Sequence, residues 1–338
     1  MTTPPHSATP ERAPSGPAEL LVVVDTEEEF DWSQPFSREA TATDTIAAQV
    51  RAHAVFDRFG VVPTYVVDYP VAANAEAAGV LRRLRDHGKA EIGAHLHPWV
   101  TPPHEEAVTR RNSYHCNLPA QLERAKIEML TAAVEQGLGQ RPVIFKAGRY
   151  GFGENTSNVL KDLGYRIDCS FVPFTNFRPD GGPDFRDAAC EPHWLDADAG
   201  LLEVPLTVGF TGRTPGLGPV LRSVFDSPRA RRWHVPGVLA RSGLLSRGKL
   251  SPEGFSAEEQ CRLIDALLAR GQRTFSLTYH SPSLAPGHTP YVRSEADLAR
   301  FLQTIEQVLA HFQGRGGRFT TLNAVHARMS LERARQAA

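Results

Sequence analysis

Eight short apolar runs, rich in β-branched residues and closed off by polar ones, recur along the chain. They are ELLVVVD (19–25), VVPTYVV (61–67), KAEIGAH (89–95), PVIFKAG (142–148), YRIDCSF (165–171), LLEVPLT (201–207), TFSLTYH (274–280) and GRFTTL (317–322). Continuous apolar runs of this length suit strands covered on both faces, as in a parallel sheet. Between them, apolar residues fall at helical spacing over 44–59, 76–87, 119–138, 154–163, 256–270 and 295–313. Start signals agree, with Asn117 and Pro119 ahead of Ala120, and Ser256 three residues before Glu259 as a capping box. Alternation of strand and helix requires parallel pairing with right-handed crossovers. Seven or eight such units predict an α/β fold closed as a distorted (β/α)7–8 barrel.

The 338 residues, 41% hydrophobic and 22% charged, suffice for one large α/β domain, expected over 19–325. Residues 1–18 have neither a basic start nor an apolar stretch, so they read as a disordered lead rather than a signal peptide, and 326–338 as a tail. On that basis a cytoplasmic location is expected. No window approaches 18 consecutive apolar residues, so no membrane span is expected. Lys and Arg total 37 against 38 Asp and Glu, a formal charge of -1, which argues against a nucleic-acid partner and for a substrate recognised locally. Cys116, Cys169, Cys190 and Cys261 lie far apart in no zinc-ribbon or disulfide spacing. The rhythm breaks once. Residues 208–255 are rich in Gly, Pro and Arg and form an unusually long connection, read as an irregular insertion.

Two strand ends carry chemistry. Asp25-Thr26-Glu27-Glu28-Glu29-Phe30-Asp31 places five carboxylates in seven residues directly after an apolar strand. At a spacing of two, Asp25 and Glu27 point to the same side of an extended backbone, where they repel unless a cation or proton compensates. EIGAHLHPW (91–99) puts His95 and His97 at the same spacing at the end of another strand, so both imidazoles can converge on a metal. One carboxylate with two imidazoles is a common ligand set for a catalytic divalent ion, with zinc the first choice and iron, cobalt, nickel or manganese compatible.

These residues resemble the polysaccharide deacetylases, carbohydrate esterase family four, as a divergent branch. The resemblance implies Asp25 as catalytic base and Glu27 as metal ligand, with Glu28 competing for that place, beside His95 and His97. The usual family motif spaces the two histidines four apart, whereas here they are two apart. FKAGRYGFG (145–153) is similar to the motif whose Arg orients the base, which nominates Arg149. LEVPLT (202–207) is similar to the motif lining the acyl pocket, and with it Glu203. LTYHSPSL (277–284) is similar to the motif carrying the catalytic acid, giving His280. Trp32 and Trp99, each following a metal motif, are candidate platforms for a sugar ring, and Asp184 and Asp168 are candidate substrate or supporting groups.

The expected activity is removal of an acetyl group from an N-acetylated sugar, in a polysaccharide or glycoconjugate. Asp25 and His280 need opposite protonation states, so kcat/KM is expected to be bell-shaped in pH. A C–N amide hydrolase acting on a small non-sugar, and a silent carbohydrate-binding barrel, are the competing readings. Arginines between 213 and 249 raise the further possibility of an anionic substrate, such as a nucleotide- or lipid-linked sugar.

Overall fold

A computed structural model describes residues 16–196 and 200–337; residues 1–15, most of the expected lead, lie outside it. Among the described residues eleven strands form: β1 (Glu19–Thr26), β2 (Thr64–Val67), β3 (Glu91–Leu96), β4 (Ile144–Ala147), β5 (Ile167–Asp168), β6 (His193–Trp194), β7 (Leu202–Glu203), β8 (Val208–Thr211), β9 (Ser246–Lys249), β10 (Thr274–His280) and β11 (Arg318–Phe319). All eight apolar runs contain a strand. The helices are α1 (Gln49–Phe59), α2 (Tyr69–Ala73), α3 (Ala75–Asp86), α4 (Ala120–Leu138), α5 (Glu154–Asp162), α6 (Gly218–Asp226), α7 (Pro228–Arg232), α8 (Val235–Arg241), α9 (Ala257–Leu268), α10 (Glu295–Gly314) and α11 (Leu322–Ala337). The capping box at Ser256 and Glu259 forms in both halves, whereas α4 starts at Pro119 without a side-chain cap. Asn117 instead donates to the carbonyls of Arg111 and Gly181.

The main sheet runs β10-β1-β2-β3-β4-β5-β7-β6 and curls into an incompletely closed barrel. Every neighbour along β10 to β7 is parallel, and only β6 on β7 is antiparallel. Across the gap between β7 and β10, the Thr278 amide donates to the Leu250 carbonyl and the Leu250 amide to that of Thr207. The Glu191 carboxylate accepts from the amides of Arg273 and Thr274. An edge that would otherwise expose unpaired amides is thereby covered.

Alternation along each strand sorts residues between two cores. Leu20, Val22 and Val24 of β1, Ile92, Ala94 and Leu96 of β3, and Phe275, Leu277 and Tyr279 of β10 pack outward under the helices. Leu21, Val23, Val66, Ile144, Ile167, Leu202 and Val204 fill the barrel interior. Leu322 and Val325 of α11 belong to that interior cluster, with Met329 packed against it. Much of the segment expected as a tail is thus helix, and its root seals the barrel at the end opposite the strand C-termini.

The insertion at 208–255 is not irregular throughout. Strands β8 and β9 pair antiparallel as a stem, and α6, α7 and α8 make the excursion between them. Phe210, Phe225 and Leu245, with Leu221 and Leu239 against them, give it a small core of its own.

Candidate metal centre and active-site cleft

Strand parity delivers the first set of side chains. Val24 and Leu96 face the helices, so Asp25 and His95 beside them face inward, as do Glu27 and His97 two residues on. Asp25 pairs in register with His280 of β10 on one side and Val66 of β2 on the other. His95 pairs with Lys146 of β4. All lie at the C-terminal ends of parallel strands, the position at which α/β barrels assemble their sites.

Glu27, His95 and His97 present ligand atoms within 4.8 Å of one another, and all three are buried. The Glu27 Oε2 atom lies 3.7 Å from His95 Nε2 and 3.5 Å from His97 Nε2. Two ligands of a tetrahedral ion, each about 2.1 Å from it, sit about 3.4 Å apart, so these separations fit a shared cation. The far nitrogens are already committed. His95 Nδ1 bonds the Lys146 carbonyl at 3.1 Å, and His97 Nδ1 bonds Glu28 Oε2 at 2.7 Å. A ring that donates from Nδ1 turns its Nε2 lone pair inward, the orientation that carboxylate and carbonyl partners impose on metal-binding histidines. Burial holds both imidazoles neutral, with His97 down to about 4 and His95 well below the usual range. Burial, followed by repulsion from Glu28, Asp25 and Asp68, pushes the Glu27 carboxyl well above its usual range, a penalty that a cation relieves. Glu27 Oε1 is buried without a hydrogen-bond partner.

A second group, Glu28, Asp68 and His97, also has ligand atoms within 4.8 Å. Its oxygens are used, however. Glu28 Oε1 accepts from Trp99 Nε1 at 2.8 Å and Oε2 bonds His97, while Asp68 accepts from the amides of Glu28 and Val71. Burial and the adjoining Glu28 carboxylate raise Asp68 well above its usual range. Glu28 therefore supports His97 from behind. Gly148 makes that packing possible: a Cβ there would meet the Leu96 carbonyl at 2.2 Å and His97 Cδ2 at 2.5 Å.

Asp25 is held by Lys146, whose Nζ donates to Oδ1 at 2.5 Å and to Thr278 Oγ1 at 3.1 Å. Burial alone would raise the Asp25 carboxyl, but the Lys146 ammonium outweighs it and keeps Asp25 ionised well below the usual range. The same pair pushes Lys146 upward against its own burial. His280 Nε2 lies 3.6 Å from Asp25 Oδ2, and its Nδ1 bonds Glu253 Oε2 at 2.7 Å. Glu253 also accepts from the His280 amide and from Ser283 Oγ, so the ring is fixed in two places.

Arg149 does not take the expected place beside Asp25. Its guanidinium bonds Asp180, Ser113 Oγ and the Arg110 carbonyl and lies over the rings of Tyr114 and Phe36. The backbone explains this: Arg149 (φ 52) and Tyr150 (φ 62) are consecutive left-handed residues that turn sharply after β4 and swing Arg149 to the cleft rim. Glu203 does not line the cleft either. Leu202 and Val204 point into the barrel, so Glu203 points out, where it is fully buried and pairs with Asp168. Burial and the Asp168 carboxylate push Glu203 well above its usual range, while Asp168 accepts from Ser170. Asp184 is bound by Arg186 and Arg178, away from the cleft. Trp99 is 2% exposed and stacks on the His97 ring at 4.2 Å, which makes it a support rather than an open platform. Trp32 is 37% exposed and meets the His280 ring edge-on at 5.0 Å.

These groups floor a cleft of about 840 Å³. Phe30, Phe36, Tyr114, Tyr150, Phe177 and Tyr291 line it, with Lys249 entering from β9. Sequence reasoning missed Lys146 and Glu253. A lysine at an inward position of an apolar strand was a usable signal for the first, whereas Glu253 stands in a Gly- and Pro-rich loop that announces nothing.

No family model matches the chain, and no curated protein matches it. Among solved structures, the chain is similar to a Mycobacterium smegmatis protein assigned as a polysaccharide deacetylase, at 17% identity and TM-score 0.50, over 93% of this chain and 97% of that one. It is similar to an allantoinase at 14% identity and TM-score 0.54, over 95% and 93%. A GH57 branching enzyme from the archaeon Thermococcus kodakaraensis, in complex with glucose, gives 14% identity and TM-score 0.50, over 91% and 70%. At such identities the shared property is the fold, a curled α/β barrel.

Proposed function

We propose that the chain is a metal-dependent hydrolase of the polysaccharide deacetylase type, which removes an acetyl group from an N-acetylated sugar. The observation that carries this reading is the convergence of Glu27 Oε2 with the Nε2 atoms of His95 and His97, between Asp25 and His280. Glu27, His95 and His97 would hold a divalent ion, zinc first among those that suit such ligands. When bound, the ion supplies Lewis acidity, lowering the pKa of a water and polarising the acyl carbonyl.

The remaining work falls to side chains of the cleft. Asp25, kept ionised by Lys146, accepts the proton of the attacking water. His280, oriented by Glu253, donates from Nε2 to the departing amine, which is too basic to leave unprotonated. Trp32, packed edge-on to His280, offers an aromatic face to a sugar ring at the mouth of the cleft. Retention of base, acid and both their partners weighs against a silent binding barrel. The aromatic wall of Phe36, Tyr150 and Phe177 also suits the flat amide of a small non-sugar, which is the second reading.

Metal content and acetate release from N-acetyl sugars, measured on wild type, His95→Ala and His97→Ala, test the proposal together. Both variants are expected to lose the ion and the activity. Full metal occupancy in both would overturn the ligand set, and acetate release that survives Asp25→Asn would overturn the mechanism. Wild-type protein that releases ammonia or formate from small amides, and no acetate from sugars, supports the second reading instead.

A further inference from the structure

The excursion of α6, α7 and α8 packs one set of apolar side chains and leaves another exposed. Phe225, Leu221 and Leu239 pack inward on the β8–β9 stem. Outward, Val220 is 75% exposed, Trp233 77%, Val238 60%, Leu217 51% and Leu244 41%. These five are half of the ten large apolar side chains exposed among the described residues, gathered within residues 217–244. Scattered surface apolar residues need no explanation, but a concentration of this kind does.

Charge indicates what covers it. Between residues 212 and 245 stand Arg213, Arg222, Arg229, Arg231, Arg232 and Arg241 against one acid, Asp226. Arg222 is tied to Asp187, and Asp226 is taken by Arg247 of the stem. Among the described residues Arg213, Arg229, Arg232 and Arg241 are exposed and make no ion pair. A chain with a net charge of -1 has thus concentrated unpaired positive charge around its exposed tryptophan and aliphatic residues. Exposed apolar side chains set among arginines suit the boundary between anionic headgroups and acyl chains, where the apolar groups insert and the guanidinium groups meet phosphates. A protein partner of that size would need acidic and apolar groups in alternation; a lipid surface supplies both by construction.

We infer that the α6–α8 face docks the protein peripherally on an anionic lipid surface. Among the described residues no helix is long and apolar enough to cross a membrane. The stem of this face carries Lys249 into the cleft wall, so docking brings the cleft to substrates held at a membrane.

Co-sedimentation of the full chain with vesicles tests this without reference to catalysis. Vesicles of pure phosphatidylcholine are compared with vesicles containing phosphatidylglycerol at about three parts in ten. Binding to the anionic vesicles alone is expected, weakening as salt rises. Arg229→Gln and Arg232→Gln should each weaken it about fivefold, and Trp233→Ser combined with Val238→Ser about tenfold or more. All four substitutions are at exposed positions, and an unchanged urea midpoint verifies folding. Absence of binding, equal binding to neutral vesicles, or binding unmoved by these variants overturns the inference. So does a dimer in solution that Trp233→Ser converts to monomer, since a second copy then covers the face.

Discussion

Replacing Lys146 by Met keeps most of the buried stem but removes the ammonium that faces Asp25 at 2.5 Å. Lys146 is fully buried and Asp25 nearly so, and leaving one member of such a pair charged and alone costs about 3–5 kcal/mol. That is a large fraction of the roughly 5–15 kcal/mol by which domains are stable. The measurement is urea unfolding of metal-stripped protein, because a bound ion would also compensate Asp25. The sign with pH follows from the environment. In the wild type the Asp25 carboxyl is held well below its usual range, so it contributes stability above about pH 4 that is lost only in stronger acid. Without Lys146, burial dominates and raises that carboxyl, so the variant is most deficient at pH 7 and recovers as pH falls. Adding Asp25→Asn neutralises the stranded charge and should restore most of the loss at pH 7, with a coupling of about 3 kcal/mol in the double-mutant cycle. Arg149→Gln, which removes a partly exposed ion pair with Asp180, should cost no more than about 1 kcal/mol. A Lys146→Met cost below about 1 kcal/mol, or a cycle additive within about 0.5 kcal/mol, would refute the pairing argument.

Titration calorimetry with zinc should separate the two glutamates: Glu27→Gln abolishes tight binding, whereas Glu28→Gln, which loosens only the support behind His97, weakens it about 10–100-fold. Gly148→Ala should weaken zinc as well, because its methyl displaces His97 and the Leu96 carbonyl. Steady-state kinetics on Glu253→Gln should show kcat reduced on the order of a hundredfold with KM little changed, since Glu253 holds His280 and does not line the cleft; a change confined to KM would place Glu253 in substrate binding instead. His53 is buried between Phe56 and Tyr65 with neither ring nitrogen bonded, and burial lowers it to about 4. Its neutral form is favoured in the folded state, so stability present above about pH 6.5 falls by about 3 kcal/mol as pH drops to 4. Urea midpoints of His53→Leu across that range should fall less steeply than those of the wild type by this amount; parallel curves would exclude His53 as the acid-sensitive group.

The fold was legible because its determinants are local. Eight apolar runs alternating with helical spacing leave little besides a parallel, curled sheet, and a spacing of two settles which side chains share a face. Asp25, Glu27, His95 and His97 follow from that rule alone, since each ends a strand and strand ends of one polarity meet at one mouth. The same parity, applied to LEVPLT, already turns Glu203 away from the cleft once Leu202 and Val204 are assigned to the barrel interior. What pairs across the barrel is set by register and loop geometry, which no local pattern encodes. Thus Lys146 rather than Arg149 meets Asp25, because β4 delivers position 146 inward and two left-handed residues carry 149 to the rim. Glu27 and Glu28 are adjacent acids in the sequence, and only the tertiary structure, by occupying both Glu28 oxygens with Trp99 and His97, separates ligand from support. Glu253 reaches His280 across 26 intervening positions through a closure in which Leu250 bridges Thr207 and Thr278 by hydrogen bonds. Local sequence therefore determined the strands and the inward faces, by steric alternation. Long-range packing decided the partners, because a buried charge settles on whatever counter-charge the closed barrel brings within reach.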